Sequence, residues 1–337
     1  MVEDLGPDDP YEIGGFRLLQ RLGSGGMGSV YVARATDGHT VAVKVIRPEY
    51  ARDPDFRRRF TREVRSAQRL SGPGLVAIEA ADTEAEQPWL ATEFVAAPTL
   101  GEVIQKHGPL GMTTWDELAR GLGRALQAVH SAAMVHRDLK PANVLLARTG
   151  PRLIDFGIAR AHDDSVLTGT GQAIGTPGYM APEYLTGGRA DERADLFAYG
   201  AVLAYAATGR HPFGAGSVQS VQYRAVHEQP DLQSLDPGRT HLLGTLLAKN
   251  PYARPPLDAV LAQIHTAQPT DSPWLSAPVL ADIAAVAERL LHVQPRPLPT
   301  ANGDAQHTPD NGTVADDADA PPPLTLFKRL RDAFNGR

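Results

Sequence analysis

His136-Arg137-Asp138-Leu139-Lys140-Pro141-Ala142-Asn143, followed by Leu153-Ile154-Asp155-Phe156-Gly157, is where this chain gathers its chemistry most densely. An imidazole, two aspartates, a lysine and an amide stand within one short span broken by Pro141 and Gly157. Taken alone, Asp138 is an ordinary loop aspartate. Its meaning comes from what lies on either side of it.

Upstream, Leu22-Gly23-Ser24-Gly25-Gly26-Met27-Gly28-Ser29-Val30 sets three glycines in a Gly-x-Gly-x-x-Gly pattern. Glycines let a backbone approach phosphate oxygens without a Cβ in the way. A dinucleotide site needs a helix after the last glycine, but here Val30-Tyr31-Val32-Ala33 continues as a strand, so the reading is a strand–loop–strand flap. No Gly-Lys-[Ser/Thr] follows, which excludes a P-loop. Next comes Val41-Ala42-Val43-Lys44. Alternate residues of a strand share a face, so Lys44 projects beside Ala42, which is small enough for a flat ring to lie against it. Between Pro54 and Leu70 a helix is predicted, with Phe60, Val64 and Ala67 in its apolar stripe and Glu63 on the same face. A carboxylate turned toward a core requires a partner, and Lys44 is the expected one.

Downstream stand Gly175-Thr176-Pro177, Ala181-Pro182-Glu183 and Asp195-Leu196-Phe197-Ala198-Tyr199-Gly200. Taken together and in this order, the pieces resemble the Hanks-type, eukaryotic-like serine/threonine protein kinases of bacteria, over residues 11–267. The resemblance implies an ATP site in which Gly23, Gly25 and Gly28 cover the phosphates with Leu22, Ser24, Gly26, Met27 and Ser29 around them. Val30 and Ala42 would roof the adenine, Leu145 would floor it, and Lys44 would hold the α- and β-phosphates while paired to Glu63. Thr92 would be the gatekeeper, with Glu93 and Val95 meeting the adenine edge through backbone groups. Asp138 matches the residue that accepts the substrate hydroxyl proton, and Lys140 the lysine that steadies the γ-phosphate in serine/threonine kinases. Asn143 and Asp155 match the ligands of Mg2+ (or Mn2+), a hard cation suited to oxygen donors. Thr168 and Thr170 are expected activation-loop phosphosites, with Arg137 as the phosphate's partner and transient self-association for trans-autophosphorylation. Thr176 is the expected substrate-positioning residue, Glu183 the partner of Arg254, and Asp195 the support of the catalytic loop. A pseudokinase scaffold is disfavoured because Lys44, Asp138, Asn143 and Asp155 are all present. A small-molecule phosphotransferase of kinase-like fold is disfavoured by the Ala-Pro-Glu segment and the loop before it.

Fold class follows from pattern: short β-runs over 11–95, then long helical stretches at 113–135 and 195–208, predict an α+β, two-lobed architecture divided near residue 96. Residues 268–293 form a short extension with one helix from Pro278 to Val293. From Gln294 to Pro323 seven prolines, five aspartates and no aromatic residue predict a disordered linker. Residues 324–337 place Leu326, Phe327, Leu330 and Phe334 beside Lys328, Arg329, Arg331 and Arg337, a basic amphipathic helix suited to docking on protein or on an anionic membrane surface. Among 337 residues a net charge of −6 argues against a general nucleic-acid binder, and zero cysteines exclude disulfides and thiolate chemistry. The acidic start, Met1 to Gly15, has no apolar run, so a signal peptide is not expected. The longest greasy stretch, Leu196–Ala207, is too short to span a bilayer, and a cytoplasmic protein with protein substrates is the expectation. His39, His107, His211 and His227 are read as surface or loop residues, and Trp89 as packing at a strand edge.

Overall fold

The structure is a computed structural model describing residues 3–155, 178–264 and 273–296. The N-lobe comprises strands β1 (Glu3–Asp4), β2 (Glu12–Ile13), β3 (Phe16–Ser24), β4 (Gly28–Arg34) and β5 (Thr40–Ile46). Helices α1 (Pro48–Ala51) and α2 (Pro54–Ala67) follow, then β6 (Ile78–Asp82) and β7 (Trp89–Glu93). All seven strands form one antiparallel sheet ordered β1-β3-β4-β5-β7-β6, with β2 also on β3. The alternation read in β5 holds: Val41 and Val43 are fully buried in an outer cluster with Leu18, Tyr31 and Trp89, which turns Ala42 and Lys44 to the opposite face. Gly14, at φ 58°, sits where a Cβ would be 2.0 Å from the Trp89 ring, so the tryptophan closes that edge only over a glycine.

The sheet begins earlier than the sequence suggests. Glu3 and Asp4 pair with Arg21 and Gln20 of β3, eight residues before the expected boundary at 11. Acidic residues are poor strand formers; the segment is held instead by Asp9, 4% exposed. That carboxylate accepts from Arg21, from the Tyr31 hydroxyl at 2.7 Å and from the Gly6 N–H at 2.8 Å. Burial opposes its ionisation, yet these donors keep its pKa below the usual carboxylate range.

The C-lobe holds α3 (Leu100–His107), α4 (Met112–Ser131), the hairpin β8 (Val144–Ala147) with β9 (Gly150–Leu153), and helices α5 (Pro182–Leu185), α6 (Glu192–Thr208), α7 (Val218–His227), α8 (Pro237–Leu246) and α9 (Leu257–Gln263). An α+β, two-lobed fold results. α6 is buried almost all round, as its Ala- and Leu-rich sequence requires. Its polar exceptions find partners: the Tyr199 hydroxyl donates to the Ala119 carbonyl at 2.6 Å, and Trp115 Nε1 on α4 donates to the Leu203 carbonyl at 2.9 Å. A last helix, α10 (Ala277–His292), lies where one was expected and buries Val279 and Ile283 against the C-lobe. Residues 294–296, read as the start of the linker, are among the described residues, and Arg296 bonds to the Leu5 carbonyl. No helix among the described residues is long and apolar enough to cross a membrane. Thr168, Thr170, Thr176, Phe156, Gly157 and the helix expected over 324–337 lie outside the described residues.

Candidate active site

A cavity of about 810 Å³ opens between the lobes. Leu22, Gly23, Val30 and Ala42 line it from the sheet, Thr92, Glu93 and Val95 from the connection between lobes, and Leu145, Asn143 and Asp155 from below. Lys44 reaches in from β5, where it stands opposite Val30 and Leu90 in the register. Of the flap residues, Gly28 is forced to be glycine by the protein itself: a Cβ there would stand 2.0 Å from the Val45 carbonyl oxygen. Gly23, Gly25 and Gly26 differ, since a Cβ at any of them meets no protein atom within 4 Å. The described protein's own packing therefore does not require glycine at these three positions. The loop is closed by Gly25 N–H donating to the Gly28 carbonyl at 2.8 Å. On the connecting strand Glu93 uses its N–H on Ala77 at 3.0 Å and Val95 its carbonyl on Ala97 at 2.8 Å. The Glu93 carbonyl and Val95 N–H, not engaged in those bonds, have the polarity an adenine edge needs.

The loop from His136 to Asn143 is held from beneath by Asp195, 1% exposed. Its carboxylate accepts from the N–H groups of His136 at 2.7 Å and Arg137 at 2.9 Å, and contacts His130 Nε2 at 2.9 Å. Arg137 and Asp155 both adopt positive φ, 61° and 57°. Such conformations cost non-glycine residues roughly 1–3 kcal/mol each and persist only when the surroundings fix them. Burial keeps the His136 pKa below its ordinary value. Its Nδ1 accepts from the Asp138 N–H at 3.3 Å, leaving the proton on Nε2 to donate to the Ile154 carbonyl at 3.2 Å. Asp138 Oδ2 in turn accepts from Lys140 Nζ at 2.9 Å and Asn143 Nδ2 at 3.1 Å. Because the Asn143 nitrogen end points to Asp138, its oxygen end and the Asp155 carboxylate are oxygen donors of the kind that could hold a hard cation.

One expected pairing differs. Lys44 Nζ lies 2.7 Å from Asp155 Oδ1, and Glu63 pairs with Arg137 NH1 at 3.3 Å. The face on which Glu63 lies was read correctly, and its partner was not: the stripe Phe56, Phe60, Val64 and Ala67 buries α2 so that Glu63 meets the loop from His136 to Asn143. Its Oε2 is buried with no hydrogen-bond partner among the described residues. Burial therefore pushes the Glu63 pKa up to about 7, against the opposing pull of Arg137, Arg62 and Arg59.

A pH dependence follows from that shift. A carboxyl whose folded pKa exceeds its unfolded value binds protons more tightly when folded, so stability falls as pH rises through the interval from about 4.5 to about 7. At 1.36 kcal/mol per pKa unit, the loss amounts to about 3 kcal/mol across that window. Glu63→Gln is expected to remove this slope, gaining on wild type steadily between pH 5 and pH 8 in urea unfolding. Parallel stability profiles for the two proteins would contradict it.

Sequence reasoning missed several cavity walls, among them Gln20, Val32, Phe60, Val76 and Glu102, and the α10 residues Val286, Arg289 and Leu290. For those of β3 and β4 the signal was present, since Gln20 and Val32 share a face with Leu22 and Val30 by alternation. His211 lies in a loop, as read, at intermediate exposure. It is packed edge-on against Tyr179, with ring centroids 4.9 Å apart, and burial lowers its pKa to about 4. Glu183 and Arg254 meet as expected, through bonds of 2.6 and 2.7 Å.

Residues 16–265 match the protein kinase domain family. The chain belongs to it. This kinase domain is 44% identical over 279 residues to the probable serine/threonine-protein kinase PkwA of Thermomonospora curvata, covering 82% of the chain and 38% of that protein. It is 44% identical over 312 residues to the serine/threonine-protein kinase AfsK of Streptomyces griseus, covering 89% and 38%. To the serine/threonine-protein kinase PknB of Mycobacterium tuberculosis it is 36% identical over 286 residues, covering 79% and 44%. It thus spans less than half the length of these relatives. Among solved structures, the Mycobacterium tuberculosis PknI kinase domain superposes with a TM-score of 0.60 at 26% identity, over 77% of this chain and 99% of that one. Membership implies use of ATP and a divalent metal in general.

Proposed function

We propose that this chain is a serine/threonine protein kinase that transfers the γ-phosphoryl group of ATP to protein hydroxyls. The observation that carries the reading is the joint contact of Asp138 with Lys140 and Asn143, beside a cavity lined by Lys44, Asn143 and Asp155. Asn143 and Asp155 would hold Mg2+ or Mn2+, whose charge offsets that of the transferred phosphoryl group. Asp138 accepts the proton of the serine or threonine hydroxyl as its oxygen bonds to the γ-phosphorus and the bond to the bridging β,γ-oxygen breaks. Lys140, already on Asp138, steadies the γ-phosphate, and Lys44 holds the α- and β-phosphates.

Activation by phosphorylation of Thr168 or Thr170 belongs to the same reading. A phosphothreonine carries ~−1.5 to −2 charge and competes for Arg137, which Glu63 holds at 3.3 Å. Loss of that partner frees Glu63 to meet Lys44. One experiment addresses both points: incubation with radiolabelled ATP, a generic protein substrate and a panel of small hydroxyl compounds, then mass spectrometry of the chain. Label is expected on the protein substrate, and phosphate on Thr168 or Thr170. Label on small molecules alone, or on nothing, would overturn the first statement; an unmodified loop would overturn the second.

A further inference from the structure

The segment 273–296 lies beyond the residues that match the kinase family, yet it touches both lobes. At its start Trp274 Nε1 donates to the Ala147 carbonyl at 3.0 Å, and the Trp274 carbonyl accepts from Thr114 at 2.8 Å. Both partners belong to the C-lobe. Asp282, one turn past the buried Val279, accepts from Lys106 Nζ at 2.6 Å and contacts His107 Nε2 at 2.7 Å, at the end of α3. These contacts fix α10 to the C-lobe. Further along, Val286, Arg289 and Leu290 line the same cavity as Leu22 and Ala42. Then the chain crosses. Arg296 NH2 donates to the carbonyls of Leu5 at 3.1 Å and Gly6 at 2.7 Å, its guanidinium lies 4.8 Å from the centre of the Tyr11 ring, and its own carbonyl accepts from Arg17 at 3.0 Å. All four partners are N-lobe residues.

We infer that residues 274–296 form an interlobe strap, with Arg296 a positioning residue for nucleotide binding that holds the N-lobe roof over the cavity at the aperture set by α10. The inference rests on the reading of that cavity as a nucleotide site. The backbone passes between the lobes along the cavity's edge from Glu93 to Thr99, and at the rear Leu153 donates to the Gly74 carbonyl at 2.7 Å, so the sheet can rock chiefly at the cavity's open side. A second connection anchored at both ends restricts that rocking. If only the closed arrangement grips nucleotide, apparent affinity scales with the fraction of time spent closed. Arg296 contributes two charge-assisted hydrogen bonds and a ring contact to that arrangement.

The test uses the full chain and MgATP titrated by calorimetry. Arg296→Ala is expected to raise the Kd and the KM for ATP about tenfold, with kcat and the KM for protein substrate changed less than twofold. Arg296→Lys, which keeps the charge and donors to a carbonyl, is expected to recover part of the loss. Asp282→Asn separates the strap from simple electrostatics: deleting a negative charge at the cavity rim should tighten an anionic ligand, whereas a loosened strap weakens it. The double variant is expected to be no worse than Arg296→Ala alone, since either change opens the same connection. Because the chain has no cysteine, spin labels at Thr36→Cys and Glu228→Cys report the lobe separation without nucleotide, and its distribution is expected to broaden in Arg296→Ala. Wild-type binding with unchanged Kd in both variants, or additive losses, or an unaltered distance distribution, would sink the strap alone. A wild-type chain that binds no MgATP would overturn the kinase reading and the inference with it.

Discussion

Asp138→Asn is expected to lower phosphoryl transfer by about 10²–10⁴-fold, the usual worth of a positioned general base, while leaving the fold intact. Asparagine is near in shape, and its carbonyl oxygen can still accept from Lys140 and Asn143, which bond Asp138 at 2.9 and 3.1 Å. What it lacks is a carboxylate able to take the hydroxyl proton. Lys44→Met is expected to abolish activity by another route. It removes the charge that meets Asp155 at 2.7 Å and would hold the phosphates, while its unbranched side chain fills similar space. Initial rates with radiolabelled ATP, beside thermal melts of each variant, check both. Substantial turnover by either would mean that the site has been misassigned.

Arg254→Ala is expected to be the most destabilising single change in the C-lobe. The Arg254 side chain is fully buried and makes two bonds to Glu183, one to the Ala248 carbonyl at 3.0 Å and one to the Arg193 carbonyl at 2.7 Å. Truncation leaves a mostly buried carboxylate and two carbonyls without their donor. Removing one partner of such a pair costs about 3–5 kcal/mol, measurable as a shift in urea midpoint at constant slope. Glu183→Gln should cost less, because an amide oxygen still receives one of the guanidinium's bonds. Equal stability of wild type and Arg254→Ala would show that the pair is solvated in solution.

The faces of Lys44 and Glu63 were legible in advance because local rules suffice for them, whereas Asp138, Glu183 and Arg254 drew their roles only from the family resemblance. Alternation in Val41-Ala42-Val43-Lys44 assigns each side chain a face, and the helical stripe of Phe60, Val64 and Ala67 does the same for Glu63. Neither rule gives a distance. Whether Glu63 reaches Lys44 or Arg137 depends on how far α2 swings toward a loop 74 residues away, and no periodicity encodes that. The N-terminal arm escaped for a related reason. Glu3 and Asp4 have low strand propensity, and their pairing depends on Asp9 finding Arg21 and Tyr31. The helix at 277–292 was visible as an Ala- and Leu-rich run, but its docking rests on Asp282 and Arg296, single polar residues in unremarkable surroundings.

The bond from Arg296 to the Leu5 carbonyl joins residues 291 positions apart. Closing a loop of that length from an unfolded chain costs about 5 kcal/mol in entropy, far more than one hydrogen bond returns, so the lobes must fold first and shorten the path. This contact is therefore expected to form only after the lobes have folded. On the ribosome the order is stricter still. At ~5–20 residues per second, roughly 15–60 s separate synthesis of Leu5 from that of Arg296. Until Arg296 is made, the Leu5 carbonyl and the Tyr11 ring lack the partner that the strap later brings to them.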